Sequence, residues 1–138
     1  MFKIYTDTPA NLPVKLVSDY DIGVIPLHYA IGGKEYPAPG DEGAAFDGKS
    51  FYDDMRKGLI PHTSMISVGA FSDAFEESLA AGTDVLYVGI SSGVSGTYHS
   101  ASLAADELRE RYPERKIAMV DTLAASLGEG LLVRYAAE

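Results

Sequence analysis

The run Val85-Leu86-Tyr87-Val88-Gly89-Ile90, followed at once by Ser91-Ser92-Gly93-Val94-Ser95-Gly96-Thr97, constrains this chain more than any other segment. A nearly continuous apolar run is what a strand needs when both of its faces are buried, as in a parallel sheet covered by helices. The small polar residues then break the strand. From about Gly96 to Arg111 the apolar positions return at helical spacing. Ala101, Ala104, Ala105, Leu108 and Tyr112 form an inner stripe, with Asp106, Glu107, Arg109 and Glu110 on the outside. Pro113 ends that helix, and Ile117-Ala118-Met119-Val120 reads as the next strand. Strand, helix, strand is the pattern of a parallel pair with its crossover packed on the sheet, so the spacing predicts an α/β fold: a mostly parallel sheet flanked by helices.

The rest of the chain agrees with that architecture. Phe2-Lys3-Ile4-Tyr5 reads as a short strand halted by Thr6-Asp7-Thr8-Pro9, and Pro13 suits the first turn of a helix carrying Leu12, Leu16, Val17 and Tyr20. Ile22 to Ile31 is a second extended segment in which Pro26 favours an edge or a bend. Gly32-Gly33 turns it back into Lys34-Glu35-Tyr36. Pro37 to Gly48 is rich in Gly, Pro and acid and reads as a loop. Two helices follow, one with Phe51, Tyr52, Met55 and Leu59 on a side and ending near Gly58, the other with Phe71, Ala74, Phe75 and Leu79 and ending at Gly82. Near the end, Ser126 and Glu129 have the spacing of a capping box for a helix bearing Leu127, Leu131, Leu132 and Tyr135.

Composition narrows the partners. Eleven Lys and Arg against 20 Asp and Glu give a net charge of −9, which argues against nucleic acid or an anionic membrane surface as the main partner. With no cysteine there is no disulfide framework, thiolate nucleophile or thiolate metal site. His28, His62 and His99 lack metal-ligand spacing, so no metal and no cofactor is expected. The opening run turns polar too quickly for a signal peptide, and no apolar stretch approaches the ~20 residues that span a bilayer. These readings describe a cytoplasmic protein without stable membrane insertion.

The chemistry points to the Ser/Gly segment. It joins a buried strand to a helix, at the carboxyl end of a parallel strand where open α/β sheets bind ligands. Unpaired amides at a helix start attract an anion, small residues let the backbone curl round it, and the four hydroxyls of Ser91, Ser92, Ser95 and Thr97 add donors without charge. No lysine of a nucleotide-phosphate loop is present, so the pattern fits a carboxylate or phosphate other than ATP. The alternative is that Ser95 or Thr97 only caps the helix. Thr63-Ser64, between two helices, is a second candidate or another N-cap, and Thr6-Asp7-Thr8, if its strand is central, faces the same rim. A hydrolase drawn from Ser95, His99 and Asp121 is the competing enzyme reading. It lacks the Gly-x-Ser-x-Gly elbow, because threonine stands at the last position of Gly93-Val94-Ser95-Gly96-Thr97.

Taken in order, Thr6-Asp7-Thr8 with Leu12-Pro13, Ile25-Pro26-Leu27, Thr63-Ser64, Ser91-Ser92-x-x-Ser95-Gly96-Thr97-Tyr98-x-Ser100-Ala101, and Asp121-Thr122 with Ser126-x-Gly128-x-Gly130 resemble the DegV family over nearly the whole chain. The resemblance implies a bacterial fatty-acid-binding protein of the EDD fold. It is not an enzyme itself but the carrier subunit that presents a long-chain fatty acid to the catalytic subunit of a fatty acid kinase. It further implies that Thr63, Ser95 and the backbone around Gly96 hold the carboxylate, with Ser64, Ser92, Thr97 and Asp7 in support. The sequence departs from the family pattern where Met65-Ile66 follow Thr63-Ser64 in place of Gln-Pro, and at Val94, where leucine is usual. The family has two lobes. On this resemblance residues 1–138 form the amino-terminal one, the carboxy-terminal lobe is absent, and the exposed lobe interface favours self-association.

Overall fold

The computed structural model describes residues 2–38 and 46–138. Its first layer is a four-stranded parallel sheet built from β1 (Phe2–Asp7), β2 (Gly23–Ile25), β6 (Asp84–Gly89) and β7 (Ile117–Asp121), in the order β2-β1-β6-β7. Tyr5 lies opposite Gly23 on one side and Tyr87 on the other, and Gly89 lies opposite Asp121. The continuous apolar run therefore marks a central strand. Val85, Tyr87 and Val88 are fully or almost fully buried, as a strand covered on both faces must be.

Helices cover the two faces with separate cores. On one side α3 (Val68–Ala80) and α4 (Thr97–Arg111) bring Phe71, Phe75, Ala101, Ala104 and Leu108 onto Tyr5, Val85 and Tyr87. The inner stripe read from the sequence of α4 is the buried one, with Tyr112 half-buried at its end. On the other side a short 3-10 turn (Thr8–Ala10), α1 (Val14–Asp19) and α5 (Leu127–Ala137) pack Ala10, Val17 and Val133 onto Val88 and Ile22. The loops after β1 and β6 thus leave toward opposite faces. That divergence between neighbouring strands opens a crevice at their carboxyl ends.

The single extended segment expected from Ile22 to Ile31 is two strands. Pro26-Leu27 bends the chain out of the parallel sheet into β3 (His28–Ile31), which pairs antiparallel with β4 (Lys34–Pro37) and β5 (His62–Ser64) in the order β4-β3-β5. Gly32 and Gly33 make the β3–β4 turn with φ of 58° and 76°, values that cost a side chain but not glycine. The loop expected over Pro37–Gly48 falls mostly on residues 39–45, outside the described residues. The helix α2 (Gly48–Arg56) follows, capped by Asp47, whose side chain accepts from the Ser50 amide.

Two assignments of caps are corrected. Thr63 and Ser64 lie within β5, paired with Tyr29 and His28, and the cap of the next helix is Ser67, which accepts from the Ala70 amide. Ser126 and Glu129 form no capping box. Ser126 has a φ of 53° with no side-chain cap bond, and Glu129 turns away from it into the interior. Burial rotates α5 accordingly: Glu129, Gly130 and Val133 face inward, while Leu127, Leu131, Leu132 and Tyr135 are exposed. Ser67→Ala removes an acceptor from the start of α3, the helix that carries Phe71 and Phe75. It should cost about 1 kcal/mol of stability, read as a lowered urea midpoint at unchanged slope.

Candidate functional site

The crevice at the carboxyl ends of β1 and β6 is walled by three connections: the start of the 3-10 turn, the Ser91–Gly96 loop, and the Thr122–Ser126 loop after β7. They are stitched together. The Ser91 amide donates to the Ala124 carbonyl at 2.9 Å, the Thr122 amide to Gly89 at 3.2 Å, and the Ser126 amide to Pro9 at 2.9 Å. Four of the loop's own amides are spent internally. Those of Val94 and Ser95 donate to the Ser91 carbonyl, that of Gly93 to Ser91 Oγ, and that of Ser92 to Asp121 Oδ1 at 3.2 Å. The Ser92 side chain above all, helped by the amides of Leu123 and Ser92 and opposed by burial, holds the Asp121 carboxyl below its ordinary value, so it is ionised.

What remains open lies at the start of α4. Ser95 Oγ, half-buried, donates to Thr97 Oγ1 at 2.9 Å and accepts from the Thr97 amide at 3.2 Å. Thr97 itself is fully buried, and its Oγ1 also accepts from the Ile66 amide at 3.4 Å. Gly96 is the N-cap, without a side-chain cap bond, and the first intrahelical bond is that from Ser100 to Gly96. The amides of Gly96, Tyr98 and His99 therefore have no partner among the described residues. Three free N–H groups at the positive end of a fifteen-residue helix suit an oxyanion.

The second motif meets the first through the residues just beyond it. Met65 Sδ stands so close to Gly96 that a Cβ there would lie 2.8 Å from it, and Ser100 Oγ approaches the same sulfur at 4.0 Å. Together with the bond between Ile66 and Thr97, this fixes the exit of β5 against the start of α4, with Thr63 and Ser64 exposed just upstream. Exposed apolar side chains stand on the segments that lead to the helix start and beside it. Val94 is 71% exposed, Met65 60% and Leu123 78%, and Leu123 is held in the left-handed region at φ 52°, its amide sharing Asp121 Oδ1 with that of Ser92. Polar donors with exposed apolar side chains on neighbouring segments suit an amphipathic acid.

Thr97 and Asp7 stand behind this surface rather than on it. Asp7 closes β1 at the rim, as expected of a central strand, but its side chain is fully buried: Oδ2 accepts from the Tyr87 hydroxyl at 2.5 Å and from the Ile90 amide at 3.1 Å. Sequence reasoning missed both this link and Glu129, which meets Asp7 and accepts from Thr6 Oγ1 at 3.4 Å. The available signal was Gly130, whose missing Cβ leaves room for the Ala10 carbonyl and so marks the buried side of α5. Ser95, His99 and Asp121 make no relay, because Ser95 bonds Thr97 and Asp121 takes the Ser92 and Leu123 amides. The hydrolase reading is not favoured. Among the described residues no cluster of three or more metal-ligating side chains occurs, and no helix is long and apolar enough to cross a membrane.

The DegV family model, described as "Uncharacterised protein, DegV family", matches residues 1–138. A DegV domain-containing protein of Clostridium perfringens is 44% identical over 137 residues, 99% of this chain and 46% of the relative. Among solved structures, a stearic acid-binding protein from Eubacterium ventriosum superposes with a TM-score of 0.87 at 26% identity, covering 99% of this chain and 46% of its own. A fatty-acid-binding DegV family protein from Thermus thermophilus superposes at 0.84 with 33% identity over 99% and 46% of the two chains. The chain spans about half the length of the relatives it matches. Sheet order, the loop on α4 and a family match along its full length agree: this chain belongs to the DegV family.

Proposed function

We propose that this chain supplies the carboxylate-holding part of a long-chain fatty-acid-binding protein, and that the protein presents the bound acid to the catalytic subunit of a fatty acid kinase. The observation that carries the reading is the set of three free amides at the start of α4, beside the Ser95 hydroxyl, with exposed apolar side chains on the neighbouring segments. The fatty acids named for the structures from E. ventriosum and T. thermophilus support it. In this reading the Gly96, Tyr98 and His99 amides and Ser95 Oγ take the carboxylate, and Thr63 reaches it from β5. Ser64 and Ser92 lie exposed nearby, Ser92 committed by its amide to Asp121. Thr97 and Asp7 hold the donors in place.

The division of labour follows from magnitudes. Burial of the tail is worth roughly 0.8 kcal/mol per methylene, whereas the charge at a helix start adds about 0.3–2 kcal/mol in all. The tail supplies the affinity and the amides set the orientation.

The test is oleate binding to a version extended to the relatives' full length, followed by native mass spectrometry and calorimetric titration. One acid should bind per protein, and Ser95→Ala should weaken it by about 0.5–1.5 kcal/mol, roughly two- to tenfold. Failure of the unmodified protein to bind any long-chain acid would remove the proposal.

A further inference from the structure

Two fully buried carboxyl groups meet beneath the head-group loop, and the site described above does not account for the second of them. Asp7 ends β1, Glu129 stands in the first turn of α5, and neither exposes any surface. Among the described residues the only buried side-chain oxygens without a hydrogen-bond partner are Asp7 Oδ1 and Glu129 Oε2. Glu129 lies against the end of β1, where Thr6, the neighbour of Asp7, donates to it at 3.4 Å, and each carboxyl perturbs the titration of the other. Two carboxylates cannot share such a place as anions, because each would be desolvated and each would repel the other. One proton between the two orphaned oxygens satisfies both.

We propose that Asp7 and Glu129 share a single proton, with Glu129 donating to Asp7, and that this pair positions the head-group loop. The location of the proton follows from the partners. Burial raises the Asp7 carboxyl above its ordinary value, but its Oδ2 accepts from the Tyr87 hydroxyl and the Ile90 amide, two donors that favour the anion, whereas Glu129 accepts only a long bond from Thr6. No Lys, Arg or His contributes to the surroundings of either carboxyl among the described residues. The groups that face the pair are Tyr87 from β6 and, beyond its ring, Tyr98 from α4, with Asp121 of β7 acting on Tyr98. Burial first and the Asp7 charge second push the Glu129 carboxyl up to about 9, so it holds its proton through neutral pH.

The connection to the loop is direct. Ile90 immediately precedes Ser91, and Asp7 holds its amide, while α5 carries the other half of the pair. Ionising Glu129 places a second charge against Asp7 in a site with no cation. The strain falls on the contact between α5 and β1 and on the Ile90 anchor. The folded protein retains a proton that the unfolded chain loses at the ordinary 4.5, so stability is greatest below that value and falls as pH rises toward about 9. One proton limits the fall to about tenfold in the folded-to-unfolded ratio per pH unit.

The meaning of this pair for ligand binding rests on the reading under Proposed function, but the shared proton does not, and the deciding experiment is done on the full chain without ligand. Glu129→Gln keeps a donor toward Asp7 and cannot ionise. Infrared spectra of the unmodified protein at pH 7 should contain the carbonyl stretch of a buried protonated carboxyl, absent from Glu129→Gln. Amide resonances of Ile90 through Thr97 should move together with a midpoint near 9 in the unmodified protein and stay still in Glu129→Gln. Asp7→Asn, which retains an acceptor for Tyr87 and Ile90 while removing the repelling charge, should bring the midpoint down toward the ordinary glutamate value. A missing protonated-carboxyl band at pH 7, or loop resonances that titrate alike with and without Glu129, overturns the proposal. Oleate binding enters only afterwards: if the acid fails to bind at any pH, the fatty-acid reading falls while the infrared and resonance data still decide the pair.

Discussion

Thr63→Ala combined with Ser95→Ala, in a version carrying the relatives' full length, should leave oleate bound yet stop its conversion to an acyl phosphate by a cognate kinase. The two hydroxyls lie on different elements, β5 and the loop before α4, and those elements meet through Met65 and Ile66. Each contributes on the order of 1 kcal/mol to binding, small beside a tail of many methylenes. Phosphoryl transfer makes a different demand. The attacking oxygen must sit within a few tenths of an ångström of an in-line position, and misplacement of ~1 Å costs on the order of a hundredfold in rate. The free amides of Gly96, Tyr98 and His99 remain in the double variant, so the carboxylate stays near the helix start but turns freely there. Calorimetry and a phosphorylation assay on the same preparation check the split. Normal turnover in the double variant removes Thr63 and Ser95 from the site.

Gly89→Ala should cost roughly 3–5 kcal/mol, the largest stability effect of any single methyl group near the site. A Cβ at this position would overlap the ring and hydroxyl of Tyr87, which lie across the glycine. The ring cannot yield easily, because it is fully buried, stands 5.1 Å from Phe71 and 5.9 Å from Phe75 between ring centroids, and is tied at its tip to Asp7. Overpacking of this kind costs about 1–3 kcal/mol, and a lost hydrogen bond to a buried carboxylate about 1.5–3 more. The disturbance also reaches Ile90 through Asp7, so the Ser91–Gly96 loop should shift with the core. Gly93→Ala is the control: its Cβ meets only Ser91 Oγ at 3.4 Å, and the change should stay within about 0.5 kcal/mol. Urea midpoints of the two variants give the comparison, and equal midpoints would show that Tyr87 moves more freely than its packing implies.

Much of this arrangement was legible in the residues. The apolar run at Val85–Ile90 identified the central strand, and the alanine stripe of α4 identified its buried face, because both patterns repeat over enough positions to outweigh local exceptions. The Ser/Gly loop between them announced the unpaired amides before α4, since free amides at a helix start follow from backbone geometry alone. Thr63-Ser64 was harder. Three residues of strand have no periodicity to read, and a Thr-Ser pair before a helix looks like a cap until the pairing partner, β3, is known. The bend at Pro26 was visible as a bend, but its consequence, a second sheet, was not.

The sequence by itself determined the parallel sheet, the helices that cover it and the chemical character of the loop, because local propensity and hydrophobic period are properties of consecutive residues. Only the tertiary structure decided which way α5 faces and where Glu129 goes. Its leucines mimic a core stripe, yet the buried side is Glu129, Gly130 and Val133, selected by the close approach of the Ala10 backbone to Gly130. The bond from Tyr87 to Asp7 spans 80 positions and the contact from Asp7 to Glu129 spans the sheet from β1 to α5. Contacts between residues so distant along the chain leave no local pattern, and they exist only once the strands stand side by side.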